Sequence, residues 1–282
     1  MALALRVGPR PRAEGRRGPR PNATPTYIHL AMQIGVIGAG NMAAALVRGW
    51  GEPVLLADPL LDRAEALAAE VGGEALPSNA EVAERADVVV LCHKPAQLTD
   101  IAREIDGTAG AVVSILGGVP VTAVEAAYPG VPAYRFMPNV AAAVRRGVFC
   151  YSPGERAGDG PEAAILELFG RLGRVMPLTE QLLEPATALM GCGPAFFALA
   201  VEGLADAGVK HGLGPEEAAA MAIETMAGTA ALLTADPDAR ALRMRVTSPG
   251  GSTARGLAAL ERGGVRAALE AAVDAVVRGD PR

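Results

Sequence analysis

The chain has 282 residues, of which half are apolar and a fifth are charged, a composition typical of a folded protein with about two domains. Residues 1–31 carry six arginines and one glutamate, so they contribute +5 to a net charge of −5 and leave −10 on the remainder. An acidic body argues against nucleic acid as the main partner. Three scattered cysteines are too few to indicate a disulfide framework or a metal site, and they favour a reducing compartment.

The first 31 residues are rich in arginine, proline and glycine and show no hydrophobic period, so they are predicted to be disordered. They lack the apolar run of a secretory signal. An organelle transit peptide would be equally rich in arginine, but it would also be amphipathic, and five prolines oppose a helix here. We favour Met32 as the true start of a cytoplasmic protein. A basic tail that contacts an acidic surface is the alternative.

A short buried strand is predicted at residues 33–37, followed by a glycine loop and a helix to about residue 50. In that loop Gly38 permits a tight turn, Gly40 lets a pyrophosphate approach the backbone, and the small Ala43 lets helix and strand pack closely. The helix start also offers free amides and a positive dipole to phosphates. The loop, Gly38-Ala39-Gly40-Asn41-Met42-Ala43, therefore predicts a dinucleotide-binding site.

The second predicted strand, residues 53–57, ends at Asp58, which lies 18 residues after Gly40. An acidic residue near this position bonds the adenosine ribose in many dinucleotide-binding proteins. Because its charge repels a 2′-phosphate, Asp58 favours NADH over NADPH. The equally weighted alternative is that Asp58 starts a turn before Pro59.

Strands and helices continue to alternate, which predicts a doubly wound parallel sheet of the Rossmann type over residues 32–178. The predicted helices are residues 61–71 and 81–85, and the further strands are residues 87–91, 111–115 and 131–135. Cofactor and substrate are expected at the carboxyl ends of these strands. Two loops follow strands there: Cys92-His93-Lys94-Pro95 and Leu116-Gly117-Gly118.

The basic side chains of these loops do not identify a catalyst. Lys94 could act as a base or an imine-forming amine, but its place after a strand favours contact with the cofactor. His93 is interpreted as a backbone contributor. His29 lies in the tail, and His211 lies at a helix end where a partly positive side chain suits the dipole.

After about residue 178 the strands stop, and residues 179–282 are predicted to form an all-α domain. Helices are predicted at 179–190 with Gly191 as terminator, from Pro194 to about 211, from 214 onward, at 253–262 and at 265–278. Residues 218–235 form the nearest candidate for a membrane span, but Glu224 interrupts them, so they predict a buried helix. The helices are apolar on most faces, which predicts pairing with the same domain of a second subunit.

A loop at residues 246–253 has no apolar period, and two of its glycines precede two hydroxyl residues at a helix start. Ser252 or Thr253 could simply be a helix N-cap. Alternatively, hydroxyls and free amides at a helix start suit a small carboxylate ligand.

Taken in order, the sequence blocks resemble the pyrroline-5-carboxylate reductase family over about residues 33–278. The blocks are Ile37-Gly38-Ala39-Gly40-Asn41-Met42, His93-Lys94-Pro95, Arg135-Phe136-Met137-Pro138-Asn139, Gly191-Cys192-Gly193-Pro194-Ala195-Phe196 and Ser248-Pro249-Gly250-Gly251-Ser252-Thr253. The resemblance implies reduction of the cyclic imine 1-pyrroline-5-carboxylate to L-proline, the last step of proline synthesis. Hydride would pass from nicotinamide C4 to the imine carbon.

The resemblance also implies site residues and an assembly. Gly251, Ser252 and Thr253 would hold the substrate, with Thr253 bonding its ring nitrogen as the catalytic residue. The cofactor, NADPH or NADH, would contact Gly38, Ala39, Gly40, Asn41, Met42, Asp58, Asn79, His93, Lys94, Pro95, Leu116 and Gly117. The family forms interlocked dimers, often assembled into decamers, with substrate bound among the helices. Because a protonated imine already attracts hydride, placement matters more than a strong acid.

Several positions depart from the family pattern. Val140-Ala141 replaces Thr-Pro, Cys192 replaces Ser, Phe196 replaces Tyr, and Arg243-Met244 replaces Lys-Asp before Arg245. These changes remove hydroxyls and move charge, so they bear on substrate affinity and cofactor choice more than on reaction type.

Two alternatives remain open from the residues alone. One is another imine or 2-oxo-acid reductase. The β-hydroxyacid dehydrogenases share the glycine loop but need a catalytic lysine on a helix of the second half, where Lys210, at a helix end, is the sole lysine. The other is a redox-inactive, dinucleotide-binding regulatory paralogue, which would bind cofactor without turnover.

Overall fold

The computed structural model describes residues 32–105 and 107–278, so the predictions for residues 1–31 lie outside the described residues. Eight strands form one sheet in the order β3-β2-β1-β4-β5-β6-β7-β8. They are Ile34–Ile37 (β1), Leu55–Ala57 (β2), Glu74–Ala75 (β3), Val88–Leu91 (β4), Val112–Ser114 (β5), Ala133–Met137 (β6), Gly147–Pro153 (β7) and Gly173–Pro177 (β8). Neighbouring strands run parallel except β6 and β7, which pair antiparallel.

The central strands are apolar on both faces, as expected for a parallel sheet that helices cover on two sides. Every residue of β1 and β4 is buried. Six helices flank the strands: Asn41–Trp50 (α1), Leu61–Val71 (α2), Asn79–Arg85 (α3), Leu98–Glu104 (α4), Val121–Ala127 (α5) and Glu162–Gly170 (α6). One apolar cluster joins the sheet to α1, α2 and α6, and a second joins it to α3, α4 and α5. The doubly wound fold is therefore confirmed.

The five predicted strands are present, but β3, β7 and β8 were not predicted. β7 packs Phe149 and Tyr151 into the aromatic cluster around Phe136 and Phe169. β8 is an edge strand without a fully buried residue, so its sequence lacks the apolar run of the inner strands. The chain reverses direction between β6 and β7. The last two strands, β7 and β8, are therefore parallel to each other and antiparallel to the other six.

The second region begins with a helical run that is interrupted close to where the sequence predicted. A 3₁₀ turn at Glu180–Leu182, a short helix at Leu183–Ala186 (α7) and a π turn at Thr187–Gly191 lead into Gly193–Lys210 (α8). The predicted break between two helices at Gly191 is confirmed to within one residue, because the π turn ends at Gly191 and α8 begins at Gly193, with Cys192 between them. Pro194 lies in the first turn of α8, where its missing N–H is tolerated.

Four more helices follow, and the last strand ends at Pro177, as the loss of the strand pattern after about residue 178 predicted. The helices are Pro215–Ala235 (α9), Ala239–Arg245 (α10), Ser252–Arg262 (α11) and Val265–Arg278 (α12). α10 was not predicted. A domain boundary between residues 178 and 179 stays a prediction.

The prediction that residues 218–235 form a buried helix is wrong for a single chain, because Ala218 is the one buried residue of α9. Large apolar side chains are exposed along these helices, among them Phe197, Leu199, Leu204, Met221, Ile223, Leu232, Leu260 and Leu269. By length and composition, the helices Glu180–Lys210 and Pro215–Ala235 are also apolar enough to cross a membrane. Apolar surface of this extent marks an interface with another apolar partner.

Candidate functional site

The glycine loop after β1 is closed on one side and open on the other. Gly38 has φ of 97°, and a side chain there would lie 2.8 Å from the Cys92 carbonyl oxygen, so the loop packs against the end of β4. Gly40 begins α1, and a Cβ atom added there would meet nothing within 4 Å. Among residues 32–105 and 107–278 no side chain caps α1, and its first turn carries no acid. Its amides are therefore available to an anionic ligand.

Arg145 holds the opposite end of α1, and sequence reasoning missed it. Its Nε donates to the Gly49 carbonyl oxygen at 2.7 Å, and its Nη2 donates to the Trp50 carbonyl oxygen at 3.3 Å. A cation at a helix C-terminus satisfies free carbonyls and complements the dipole. Arg145 has φ of 55°, in the left-handed region. Arginine rarely adopts this conformation, so the sequence does not predict it.

Asp58 contacts the glycine loop directly. Its Oδ2 accepts a hydrogen bond from the Ala39 amide at 2.7 Å, and its Oδ1 accepts one from the Leu60 amide at 2.9 Å. The second bond closes the turn around Pro59 that the sequence offered as an alternative, and the first ties the end of β2 to the loop after β1. Each carboxylate oxygen has a second lone pair, so a ribose contact stays a prediction.

The turn at His93, Lys94 and Pro95 follows β4. Because a carbonyl only accepts, His93 Nδ1 donates to the Lys94 carbonyl oxygen at 2.9 Å, and Nε2 is buried with no partner among the residues that the structure describes. Burial lowers the pKa of His93, so the ring is neutral near pH 7. The Lys94 amide donates to Gln97 Oε1 at 3.1 Å, and the Lys94 side chain is exposed.

Asn79 is the first residue of α3 and donates through Nδ2 to the carboxylate of Glu104, a partner that sequence reasoning missed. A carboxylate accepts but does not donate, so this bond turns the Asn79 amide oxygen away from Glu104 and leaves it free to accept. Leu116 is buried and Gly117 is exposed in the loop after β5. Loops after adjacent parallel strands meet at one edge of a sheet, so the topology brings the predicted cofactor residues together.

The predicted substrate loop has a different character. The N-cap of α11 is Gly251, no side chain caps the helix, and its first turn carries no acid. Ser252 and Thr253 are exposed, and neither hydroxyl has a hydrogen bond among residues 32–105 and 107–278. The helix-cap explanation for these residues is therefore wrong, because their hydroxyls cap nothing. Free amides and two free hydroxyls can receive a small carboxylate.

Two further bonds shape that loop. Gly250 has φ of 67°, and the Gly251 amide donates to the Ser248 carbonyl oxygen at 3.1 Å. Arg255 Nη1 donates to the Gly250 carbonyl oxygen at 2.9 Å. Within one chain α11 packs mainly on α12 rather than on the elements that carry the glycine loop. The structure thus gathers the cofactor residues but does not place the substrate loop among them.

Arg135 on β6 anchors the helical region to the sheet. Its side chain is buried and pairs with Glu180 and with Glu184, the latter at 2.9 Å. Glu180 also accepts from the Val121 amide at the start of α5. Among the described residues, no group of three or more His, Cys, Asp or Glu side chains could hold a metal ion.

Comparison with known proteins assigns each half separately. Residues 180–280 match the family described as pyrroline-5-carboxylate reductase dimerisation. Residues 33–118 match the family described as NADP oxidoreductase, coenzyme F420-dependent. The first match covers the exposed apolar helices, so these helices form an oligomer interface.

Whole-chain relatives agree. Pyrroline-5-carboxylate reductase of Mycobacterium tuberculosis (strain H37Rv) is 36% identical over 277 residues, covering 86% of this chain and 94% of the relative. The Synechocystis enzyme of that name is 32% identical, covering 88% and 97%. The crystal structure of Plasmodium falciparum pyrroline carboxylate reductase with NADP bound is 26% identical with a TM-score of 0.79, covering 88% and 96%. The Streptococcus pyogenes enzyme is 25% identical with a TM-score of 0.80, covering 88% and 97%.

Two relatives of the same name are more than 30% identical to this chain over 86% and 88% of its length. Their similarity covers both the sheet and the region that matches the dimerisation family. The blocks that carried the resemblance lie within that span. The chain therefore belongs to the pyrroline-5-carboxylate reductase family.

Proposed function

We propose that this protein reduces 1-pyrroline-5-carboxylate to L-proline with NAD(P)H, the last step of proline biosynthesis. The observation that carries the proposal is the pair of uncapped helix starts. One follows the glycine loop and suits a pyrophosphate, and the other, at Gly251, presents two unused hydroxyls that suit a small carboxylate.

The residues present fit a nicotinamide dinucleotide. The open space at Gly40 admits a pyrophosphate, and the uncapped amides of α1, at Asn41 and Met42, can bind it. The remaining predicted contacts line the same edge, from Ala39 and Asp58 through Asn79, the turn at His93, Lys94 and Pro95, and the Leu116-Gly117 loop. When bound, the reduced nicotinamide supplies a hydride to the imine carbon.

The substrate is held by the start of α11. Gly251 begins the helix, with its own amide held by the Ser248 carbonyl, and the Ser252 amide and hydroxyl receive the substrate carboxylate, aided by the positive end of the helix dipole. The Thr253 hydroxyl bonds the ring nitrogen and so sets the face of the imine carbon. Bringing two reactants into register supplies about 7–11 kcal/mol of the barrier reduction in well-oriented reactions.

This arrangement needs no strong acid. The imine is protonated before hydride arrives, so the chain's residues need only hold that proton at the ring nitrogen. His93 is neutral near pH 7 because burial lowers its pKa, and its Nδ1 proton is engaged by the Lys94 carbonyl. We call the carboxyl ends of β1 to β5 and the loops that follow them the cofactor edge. His93 supports the structure of this edge and takes no part in proton transfer.

NADH is the favoured cofactor because Asp58 places a negative charge beside the loop that receives the dinucleotide. A 2′-phosphate near that carboxylate would be repelled.

The protein acts in the cytoplasm as an interlocked dimer through residues 179–282, and five dimers form a decamer. Family membership disfavours the alternatives of a related imine or 2-oxo-acid reductase and of a redox-inactive paralogue.

The test is turnover by the purified full chain. Mixing it with pyrroline-5-carboxylate and either NADH or NADPH should oxidise the cofactor and form an equal amount of proline. A control without substrate measures background oxidation. No oxidation with either cofactor contradicts the proposal, and binding of cofactor without turnover would favour the regulatory paralogue.

A further inference from the structure

In the helical run Glu180–Lys210, one backbone carbonyl lacks its usual helical donor and accepts a hydrogen bond from another part of the fold. In a regular α-helix the Met190 carbonyl would accept from the amide four residues on. That residue is Pro194, which has no N–H and whose ring crowds the same carbonyl. The π turn at Thr187–Gly191 lies at this point, and such turns are common where a helix carries a function.

Asn139 supplies the missing donor. Its Nδ2 donates to the Met190 carbonyl oxygen at 3.0 Å, and its Oδ1 accepts from the Val148 amide at 3.2 Å. The side chain is 7% exposed. Because one end of the amide must donate and the other must accept, both partners fix its orientation.

The position of Asn139 connects the two halves of the site. It follows β6 at the carboxyl edge of the sheet, next to the strand that ends in the Leu116-Gly117 loop. The π turn that it holds packs against α12, and α12 packs against α11, which carries Ser252 and Thr253. A continuous series of contacts therefore runs from the cofactor edge to the substrate loop.

We propose that Asn139 is a positioning residue for the substrate site, acting through the Met190 carbonyl on the point where the helix restarts. It sets the placement of α8, α12 and α11 relative to the sheet edge. This inference rests on the proposed function. Asn139 touches neither reactant, and its effect is expected on substrate binding and not on cofactor binding.

Asn139→Asp is the first test, because aspartate has nearly the same size and keeps an acceptor for Val148 while losing the donor to Met190. We expect KM for pyrroline-5-carboxylate to rise up to about a hundredfold, as small misplacements do. The Kd of reduced cofactor should change less than about twofold, and Tm should fall by about 5 °C. A folded dimeric variant with unchanged KM overturns the proposal, as does an equal loss of cofactor affinity.

Pro194→Ala provides the second test, since alanine restores an N–H that can bond the Met190 carbonyl. Asn139→Asp should then cost less Tm in the Pro194→Ala background than in the wild type. Additive shifts would show that the two residues do not share the carbonyl and would overturn the proposal.

Hydrogen exchange separates this inference from the proposed function. Asn139→Asp should speed amide exchange at residues 193, 195 and 196 and at 252–255 but not at 41–44. Unchanged exchange at 252–255 overturns the positioning role whether or not the wild type turns over. Absent turnover by the wild type contradicts the proposed function alone.

Discussion

The cofactor edge and the substrate loop each contain a helix that starts after a glycine without a side-chain cap. They differ in how closely the rest of the chain packs around that helix start. At the edge, Gly38 packs on Cys92, Asp58 holds Ala39, and Arg145 closes the far end of α1. At the loop, Ser252 and Thr253 are exposed and the nearest helices leave apolar side chains uncovered. The predicted cofactor contacts lie along one sheet edge of a single chain, whereas the predicted substrate loop lies in the dimerisation region.

The contrast teaches how the two ligands are treated. A dinucleotide is long, and residues after several adjacent strands can share its contacts. A small cyclic imine offers one carboxylate and one ring nitrogen, so a single helix start must do most of the binding. Loss of one group at the substrate loop should therefore cost more than loss of one group at the cofactor edge.

Thr253→Ala should give the largest effect. It removes the hydroxyl that we propose bonds the ring nitrogen, so kcat/KM should fall by about a hundredfold while the Kd of NADH stays unchanged. Steady-state kinetics and a cofactor titration measure the two. Thr108→Ala is a matched control, because Thr108 is exposed outside the helical region and its hydroxyl donates to the Ile105 carbonyl oxygen at 2.9 Å. Equal losses of turnover and cofactor binding in Thr253→Ala would assign Thr253 a structural role.

Gly40→Ala should weaken the cofactor edge without unfolding it. The added methyl meets no protein atom within 4 Å, so Tm should change little, but it occupies the approach of the pyrophosphate and should raise the Kd of NADH by about tenfold. Gly38→Ala is the contrasting variant, because its φ of 97° and the Cys92 backbone leave no room. It should lower stability by about 2–3 kcal/mol in denaturant unfolding. A Gly40→Ala protein with normal NADH affinity would place the pyrophosphate elsewhere.

Asp58 substitutions separate charge from loop support. Asp58→Asn keeps an acceptor for the Ala39 amide and removes the charge, so the NADPH/NADH ratio of kcat/KM should rise by about tenfold with Tm retained. Asp58→Ser should show the same change in ratio and also lose the bond to Ala39, which weakens binding of both cofactors. An unchanged ratio in both variants would remove Asp58 from cofactor selection.

Arg145→Ala tests whether the far end of α1 supports the cofactor edge. Losing two hydrogen bonds to helix carbonyls should lower the free energy of unfolding by about 1–2 kcal/mol, seen as a lower midpoint in urea. Arg145→Gly relieves the φ of 55° and should lose less. A larger loss with glycine than with alanine would show that the left-handed backbone at residue 145 costs little, because only the greater flexibility of glycine in the unfolded chain would then separate the two variants.

Much of this molecule follows from local pattern. The five predicted strands are runs of apolar residues bounded by turns, and the glycine loop follows from its spacing. The weak strands β3 and β8 could not be predicted, because β3 has two residues and β8 lacks a buried run. Their existence depends on neighbours that supply the pairing.

The sequence predicted which residue types form the candidate site, but it did not predict the hydrogen bonds that these residues make with residues distant in the chain. Spacing located Asp58, but its bond to Ala39 depends on two strands that meet only in the fold. The helix end at Gly191 could be predicted, but sequence alone does not show that Asn139, about 50 residues away, donates to the Met190 carbonyl that Pro194 leaves without a donor. The buried helix predicted at 218–235 failed for the same reason, since its cover is a second subunit.

The smallest effect concerns His93, and its sign follows from burial. The folded protein holds the His93 pKa below its usual value, so the unfolded chain takes up a proton more readily. The contribution to stability is present above about pH 6.5 and is lost as pH falls through the folded pKa. His93→Asn keeps a donor for the Lys94 carbonyl without titrating, so its stability should fall less between pH 7 and pH 5 by about 1 kcal/mol or under. Urea unfolding at both pH values measures the difference, and parallel losses in the two proteins would show that the buried ring does not link pH to the stability of the cofactor edge.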